Sequence, residues 1–507
     1  MLIGFDLKEL IKKAEKEGKK VPREIFDVGI AYWLLNPAEE EYTPENLTRK
    51  YLGKEFDGSN TAFDDLYNFA VKKLGEYKLE KLFYEVEMPL LGVLADMELA
   101  GIKVDAKLLK ALDKDLEKNI SDLVKIIYQE SGETFNINSP KQLSHVLFEK
   151  LKIDSSGIRK TKSGSISTDV ETLLDIKDRH PVVQYILNYR EFFKLHSTYV
   201  LPIQELIGKD GRVHTTYIQT GTATGRLSSQ NPNLQNIPAF TESPAGKPEI
   251  SKPIGEDWAF RLRKAFVAEP GYKLAAFDYS QIELRVLASL SGDPKMMEAF
   301  NNNLDIHKMT AANVFNVPLE KVTPEMRKIA KTLNFGVIYG MGALAFAETS
   351  GLSVEQAKKF IEEYFSDFKN IKEWQEEIKA QARDLGYVSN INGRRRWMPA
   401  AVSTSRQEAA GSERAAINMP VQGLAADIIK MAMVKIAEEI DKKNLTDKIR
   451  PILTIHDELL FEIKGDIMKE ATQLISGIME GVYELEVPIK VNVKTGKNWG
   501  EMTTIVN

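Results

Sequence analysis

The sequence predicts an α+β protein of several domains, and three observations carry that prediction. The chain has 507 residues, roughly three times the size of an ordinary domain. Hydrophobic residues make up 43% and charged residues 28%, usual for a globular protein, so large cores can form and disorder as the main theme is excluded. Two short β-rich segments that deliver acids lie among long segments of helical periodicity.

The same counts exclude several functions. A formal net charge of −5 is too weak to attract nucleic acid by itself, so a phosphate-binding surface must be local. With no Cys, disulfide scaffolds, thiolate catalysis and Cys-ligated zinc drop out. Six His leave carboxylates as the expected metal ligands and hard cations as the expected metals. No signal-like start and no run of about 18 apolar residues is present, so a cytoplasmic protein without membrane contact is expected.

In chain order, the apolar residues 26–35 followed by Asn36-Pro37 suggest part of an α/β unit. From about 88 to 200 the pattern is helical, around Leu91, Leu94 and Leu99 and again from Leu108 to Ile127, and these two helices are expected to pack antiparallel. Residues 155–167, rich in Ser, Gly and Lys, predict a mobile basic tip carrying Arg159, Lys160 and Lys162. Residues 239–257 are Pro-containing and lack any period of 2 or 3.6, which predicts a long surface loop. Residues 273–277 predict a strand that delivers Asp278, with a helix after it that stops at Gly292. Residues 452–455 and 459–463 flank His456, Asp457 and Glu458 at hairpin spacing.

Arg327, Lys331, Phe335 and Tyr339 recur every four residues. On a helix they share an arc of roughly 120°, with Asn334 on the same arc and Ile329, Leu333 and Val337 opposite. Two cations, an aromatic plane and a phenol on one face suit a nucleoside triphosphate; a solvated charged stripe is the competing explanation. Asp278 and Asp457, if their strands are neighbours, suit two Mg²⁺ ions. Each also has a plainer role, as a strand-to-helix turn residue and a hairpin turn former, and Glu283 fits a capping box with Ser280. Arg226, the run Arg261, Arg263 and Lys264, and the triplet Arg394, Arg395 and Arg396 offer local phosphate affinity or solvated faces. Arg414, Asn418 and Gln422 form a polar helical ridge suited to minor-groove contacts.

Together these strings resemble family A DNA polymerases: DYSQIELR (278–285), RKIAKTLNFGVIYG (327–340) and the His456-Asp457-Glu458 turn look like motifs A, B and C. TATGRLSSQNPNLQNIP (222–238), DIH (305–307), ERAAINMPVQGLAADIIK (413–430) and FNINSPKQL (135–143) extend the likeness. The resemblance implies a right-hand fold: thumb at 88–200, palm at 201–295 and 401–507, fingers at 296–400, and a partial, degenerate 3′–5′ exonuclease-like domain at 1–87. It implies that Asp278 and Asp457 hold two Mg²⁺, with Mn²⁺ as a substitute, and that Glu458 assists near the primer end. Lys331, Arg327 and His307 would hold the triphosphate, Phe335 would pack on the incoming sugar and base, and Tyr339 would close against the templating base. Gln281 joins the nucleotide set, and Glu283 would sit under the sugar and exclude a ribose hydroxyl. Arg226, Arg414, Asn418, Gln422, His456, Asn334, Arg159, Lys160 and Lys162 would contact DNA. The implied partners are primer-template DNA and deoxynucleoside triphosphates, and a monomer is expected.

The chain departs from the family in two places. Its start resembles the latter half of the exonuclease domain, without Asp-x-Glu or Tyr-x-x-x-Asp, which leaves Asp6 as the remaining candidate ligand. Proofreading is therefore not expected. The 239–257 loop is longer than the family pattern, and an inert surface loop is expected there. Two rivals remain at this level: an RNA polymerase of the same fold, against which Glu283 speaks, and a catalytically dead DNA-binding paralogue, against which Asp278 and Asp457 speak.

Overall fold

The computed structural model describes residues 1–505 apart from Lys20, Arg23, Glu40, Lys162, Ser163 and residues 238–257. The expected 239–257 loop and Lys162 of the basic tip therefore lie outside the described residues.

The N-terminal unit begins as a parallel β-α-β element. Strands β1 (Leu2–Gly4) and β2 (Ile25–Asp27) pair in parallel around helix α1 (Leu7–Lys16), and α2 (Val28–Leu35) follows at once. The apolar run at 26–35 is thus split between a strand and a helix. Asp27 makes the break, since its carboxylate accepts from the Ile30 amide at 3.1 Å as the N-cap of α2. Every residue of α2 is buried, as expected of a helix that is apolar all round.

Helix α3 (Met88–Ala100), the short strand β3 (Ile102–Val104) and helix α4 (Ala106–Ser131) come next. The expected antiparallel pairing of α3 with α4 is not what forms. α4 packs lengthwise on α5 (Pro181–Lys194). α3 instead enters the central core, with Leu90 and Leu94 in the same apolar cluster as Phe277 and Phe461 and with Leu91 in that of the N-terminal unit. The reason lies in the side chains: α3 buries Leu90, Leu91, Val93, Leu94 and Met97 around its circumference, whereas α4 has an apolar stripe, which lies mainly against α5 and the segments that flank it in sequence.

The centre is a five-stranded antiparallel sheet. β4 (Tyr272–Tyr279) lies in its middle, followed in sequence by helices α6 (Ile282–Ser291), α7 (Ile306–Val314), α8 (Pro324–Ile338) and α9 (Lys369–Leu385). The hairpin β5 (Tyr387–Ser389) and β6 (Arg395–Trp397) leads to α10 (Arg406–Lys442), and the sheet is completed by β7 (Ile449–Ile455), β8 (Glu458–Lys464), β9 (Val491–Gly496) and β10 (Thr503–Thr504). The order is β7-β8-β4-β9-β10. Along β4, Ala275 and Phe277 enter one core and Leu274 and Ala276 another, which explains why this strand is apolar without alternation. Phe277 meets Phe461 edge-on at 5.5 Å between ring centroids.

Candidate active site

The sheet register brings the acids together. Asp278, near the end of β4, is paired with Glu458 of β8 on one side and with Asn492 of β9 on the other. His456 and Asp457 form the two-residue loop between β7 and β8, with His456 at φ 52°. The Tyr279 amide donates to the Asp457 carbonyl at 3.1 Å, so the loop is tied to the end of β4. The neighbouring-strand arrangement expected for Asp278 and Asp457 is present.

Burial and crowding set the electrostatics of this cluster. Burial, reinforced by the charges of Glu458 and Asp457, pushes the Asp278 carboxyl up to about 7. Burial also raises Asp457 and Glu458, against the opposing charges of Arg226 and Arg263 respectively. Asp457 Oδ1 is buried and has no hydrogen-bond partner. Crowded carboxylates with an unpartnered oxygen form a hard, all-oxygen donor set, which fits divalent cations of the Mg²⁺ type. Among the described residues, the group of three ligand-type side chains within 4.8 Å of one another is elsewhere: Asp113 and Glu117 on α4, with His196.

Opposite the acids stands the face of α8. Gln281, Glu283, His307, Arg327, Lys331, Phe335 and Asp457 line one cleft of about 210 Å³. Lys331 is exposed and pairs with no carboxylate among the described residues, while Arg327 Nε donates to Asp305 at 2.7 Å. Phe335 lies 5.8 Å from the His307 ring. Tyr339 caps the helix C-terminus, and Gly340 follows at φ 62°, where an added Cβ would come within 3.1 Å of Arg414 Cγ. Gly340 thus permits both the left-handed turn and the close approach of α10. The Gln281 side-chain oxygen and the Asn418 Oδ1 are buried without partners.

Glu283 does not make the capping box considered for it. The N-cap of α6 is Gln281, in left-handed conformation and without a side-chain cap. Glu283 instead accepts from Arg226 Nη2 at 2.5 Å and from the Tyr339 hydroxyl at 2.8 Å, and Gln422 also bonds to it. Arg226 reaches on to Asp457 Oδ1 at 3.7 Å. The turn that carries Arg226, the C-terminal end of α8 and α10 therefore converge on one carboxylate.

Several candidates have partners that the sequence does not show. Asn334, expected beside Lys331 on the open arc, is fully buried because α7 packs against α8 on that side. Its amide donates to His307 Nδ1 at 3.0 Å, and its Oδ1 lies 3.1 Å from the Thr310 hydroxyl, so it supports the histidine and has no access to DNA. Arg394 is buried on Asp427 and Glu87, and Arg395 stacks on Tyr77 and Tyr387; neither is an open phosphate site. Arg261 pairs with Asp115 at 2.6 Å, Arg263 lies 4.1 Å from the Trp499 ring, and Lys264 pairs with Glu501 at 2.6 Å. At the basic tip Arg159 pairs with Asp169, and Lys160 bridges to Ile166. Thr310, Asn492 and Lys494, whose charge opposes the rise of the Asp278 and Glu458 carboxyls, were not singled out from sequence. Asn492 alternates with Val491 and Val493, the one signal that could have placed it on the acid side of its strand.

His307 gives a pH prediction. Burial, with the Arg327 charge, pushes its imidazole down to about 4. The folded state therefore binds fewer protons than the unfolded state between about pH 4 and 6.5, and His307 lowers stability as the pH falls through that window. Urea unfolding at pH 7 and pH 4.5 should show His307→Gln losing about 2 kcal/mol less than the parent; equal losses would contradict a neutral buried imidazole.

The chain is similar to proteins of known family. The family model for DNA polymerase family A matches residues 106–501. The thermostable DNA polymerase I of Thermus aquaticus is 41% identical over 501 residues, and that of Thermus filiformis 43% identical over 508. Each alignment covers 98% of this chain and 58% or 57% of the relative, so the chain spans somewhat over half the length of these relatives. Among solved structures, the POL domain of Pol1 from M. smegmatis in complex with DNA primer-template and dNTP has a TM-score of 0.90 at 36% identity, covering 98% of this chain and 86% of that one. The expected right-hand α+β fold is the fold observed.

Proposed function

Because the chain belongs to DNA polymerase family A, we propose that it carries out template-directed DNA synthesis, joining deoxynucleotides to a primer 3′-hydroxyl with release of pyrophosphate. One observation carries this reading: Asp457, from the acid cluster at the ends of the central strands, lines a single cleft with Arg327, Lys331 and Phe335 of the cationic, aromatic face of α8.

In this reading residues 201–295 and 401–507 act as palm, 296–400 as fingers and 88–200 as thumb, with 1–87 an exonuclease-like unit without proofreading. Lys331 and Arg327 hold the triphosphate and neutralise charge on the departing pyrophosphate. His307 is neutral and takes its Nδ1 bond from Asn334, so its Nε2–H is the proton donor available to a phosphate oxygen. Phe335 packs on the sugar and base, and Tyr339 closes the helix over the templating position. Glu283, fixed by Arg226 and Tyr339, stands where a 2′-hydroxyl would be placed. Arg226, Arg414, Asn418, Gln422 and His456 serve the primer-template. Asp278 and Asp457, with Glu458 beside them, would hold two Mg²⁺ ions, for which Mn²⁺ would substitute. When bound, these ions lower the pKa of the primer hydroxyl and stabilise the leaving oxygens. Among the described residues no helix is long and apolar enough to cross a membrane, and we place the protein in the cytoplasm as a monomer.

Extension of a labelled primer on a longer template, with Mg²⁺ and either deoxy- or ribonucleotides, tests the reading. Growth of the ladder with deoxynucleotides alone, and no shortening of the primer without nucleotides, is the expected outcome. DNA binding without extension would favour a non-catalytic paralogue, equal use of ribonucleotides an RNA polymerase, and primer shortening an active exonuclease.

A further inference from the structure

The N-terminal unit is joined to the cleft by a short, traceable set of contacts. Trp33 of α2 is 1% exposed, and its indole Nε1 donates to the Thr222 carbonyl at 3.1 Å. The Thr222 hydroxyl donates to the Arg226 carbonyl at 2.8 Å. Between them Gly225 sits at φ 92°, and a Cβ there would lie 2.7 Å from the Arg394 guanidinium. That guanidinium lies 5.0 Å from the Trp33 ring, as does Lys430 Nζ. The turn that delivers Arg226 is therefore held at Thr222 by Trp33 and pressed at Gly225 by Arg394. Beyond the turn, Arg226 spans Glu283 and Asp457.

We propose that Trp33 is a positioning residue for nucleotide addition: the N-terminal unit, acting through the Trp33–Thr222–Arg226 contacts, sets where the Arg226 guanidinium lies in the cleft. This rests on the polymerase reading above. It gives the exonuclease-like unit a role that needs no exonuclease chemistry. The competing account makes Trp33 an ordinary core residue, whose loss would weaken the fold without reference to Arg226.

The two accounts separate in a double-mutant cycle on single-turnover incorporation with primed DNA. Trp33→Phe keeps a ring facing Arg394 and Lys430 and deletes the N–H. It should slow incorporation about 5- to 10-fold, the worth of one buried hydrogen bond, but change the rate of an Arg226→Ala protein less than about 2-fold. Thr222→Val keeps the carbonyl that Trp33 holds and removes the hydroxyl bond to Arg226, and it should reproduce the loss if the Trp33 variant folds poorly. Equal fold-losses with and without Arg226, or full-rate incorporation by both Trp33→Phe and Thr222→Val, would overturn the proposal while leaving the polymerase reading intact. A parent protein that extends no primer overturns both.

Discussion

Asp457→Ala is expected to lower nucleotide incorporation by a factor of about 10³ or more, the loss of about 4 kcal/mol of charge stabilisation at the reacting phosphate. Primer-template binding should survive, because four of the groups proposed for DNA, Arg226, Arg414, Asn418 and Gln422, stand on other elements, and the fifth, His456, is left unchanged beside the substitution. The loop can tolerate the change: its shape depends on the β7–β8 register and on the Asp457 main-chain carbonyl, which accepts from Tyr279; the Asp457 Oδ1 accepts no hydrogen bond, and Arg226, its ion-pair partner at 3.7 Å, keeps the closer bond to Glu283. Removing one carboxylate should also relieve its neighbours, since the Asp278 carboxyl is raised by burial and then by the charges of Glu458 and Asp457. The variant should therefore fold at least as well as the parent. Parallel measurements of incorporation, DNA binding and thermal midpoint check all three statements, and full-rate incorporation would remove Asp457 from the reacting centre.

The acids were legible in the sequence because a strand and a two-residue turn are local objects. The apolar runs before Asp278 and on both sides of the Asp457 turn specify where the side chains emerge, and the observed register pairs those segments directly. The α8 face was legible for the same reason, as a helix of known period. What the period does not state is which neighbour covers which part of the arc. Lys331 stayed open and Asn334 was buried because α7 lies against one side of α8, a fact of tertiary packing. The Arg394–Arg396 triplet shows the same limit with charge. A run of arginines suggests a solvated or phosphate-binding face until partners distant in sequence are known, here Glu87, Asp427 and the rings of Tyr77 and Tyr387. The Ser280–Glu283 spacing satisfied a capping rule, yet Gln281 took the N-cap because the strand-to-helix turn passes through the left-handed region there. Local rules were overridden where tertiary partners bind more strongly than the local ones.

Those distant partners make the second large prediction. Glu87 and Lys430 are at most 1% exposed, and Arg394 is 2% exposed. Lys430 donates to both Glu87 oxygens at 2.9 and 3.0 Å, Arg394 also donates to Glu87, and Arg394 Nε donates to Asp427 at 2.8 Å. Burial acts to raise the Glu87 carboxyl, but the Lys430 and Arg394 charges overcome it and hold it below the usual range. Glu87→Gln keeps the shape and removes the charge, leaving two buried cations against the single carboxylate of Asp427. An uncompensated buried charge costs about 3–5 kcal/mol, so the thermal midpoint should fall by about 4 °C. Replacing a second member should recover part of that loss: Glu87→Gln with Lys430→Met restores one cation to one anion, and should melt above Glu87→Gln alone. The exposed pair Lys435–Glu438, 3.1 Å apart on α10, is the control, and its disruption should cost less than about 1 kcal/mol. Calorimetry on the four proteins decides the matter. A double variant melting below Glu87→Gln would mean that Lys430 stabilises through contacts other than charge, whereas recovery would show that electrostatic balance in this buried cluster fastens the N-terminal unit to α10 and to the hairpin of Arg394.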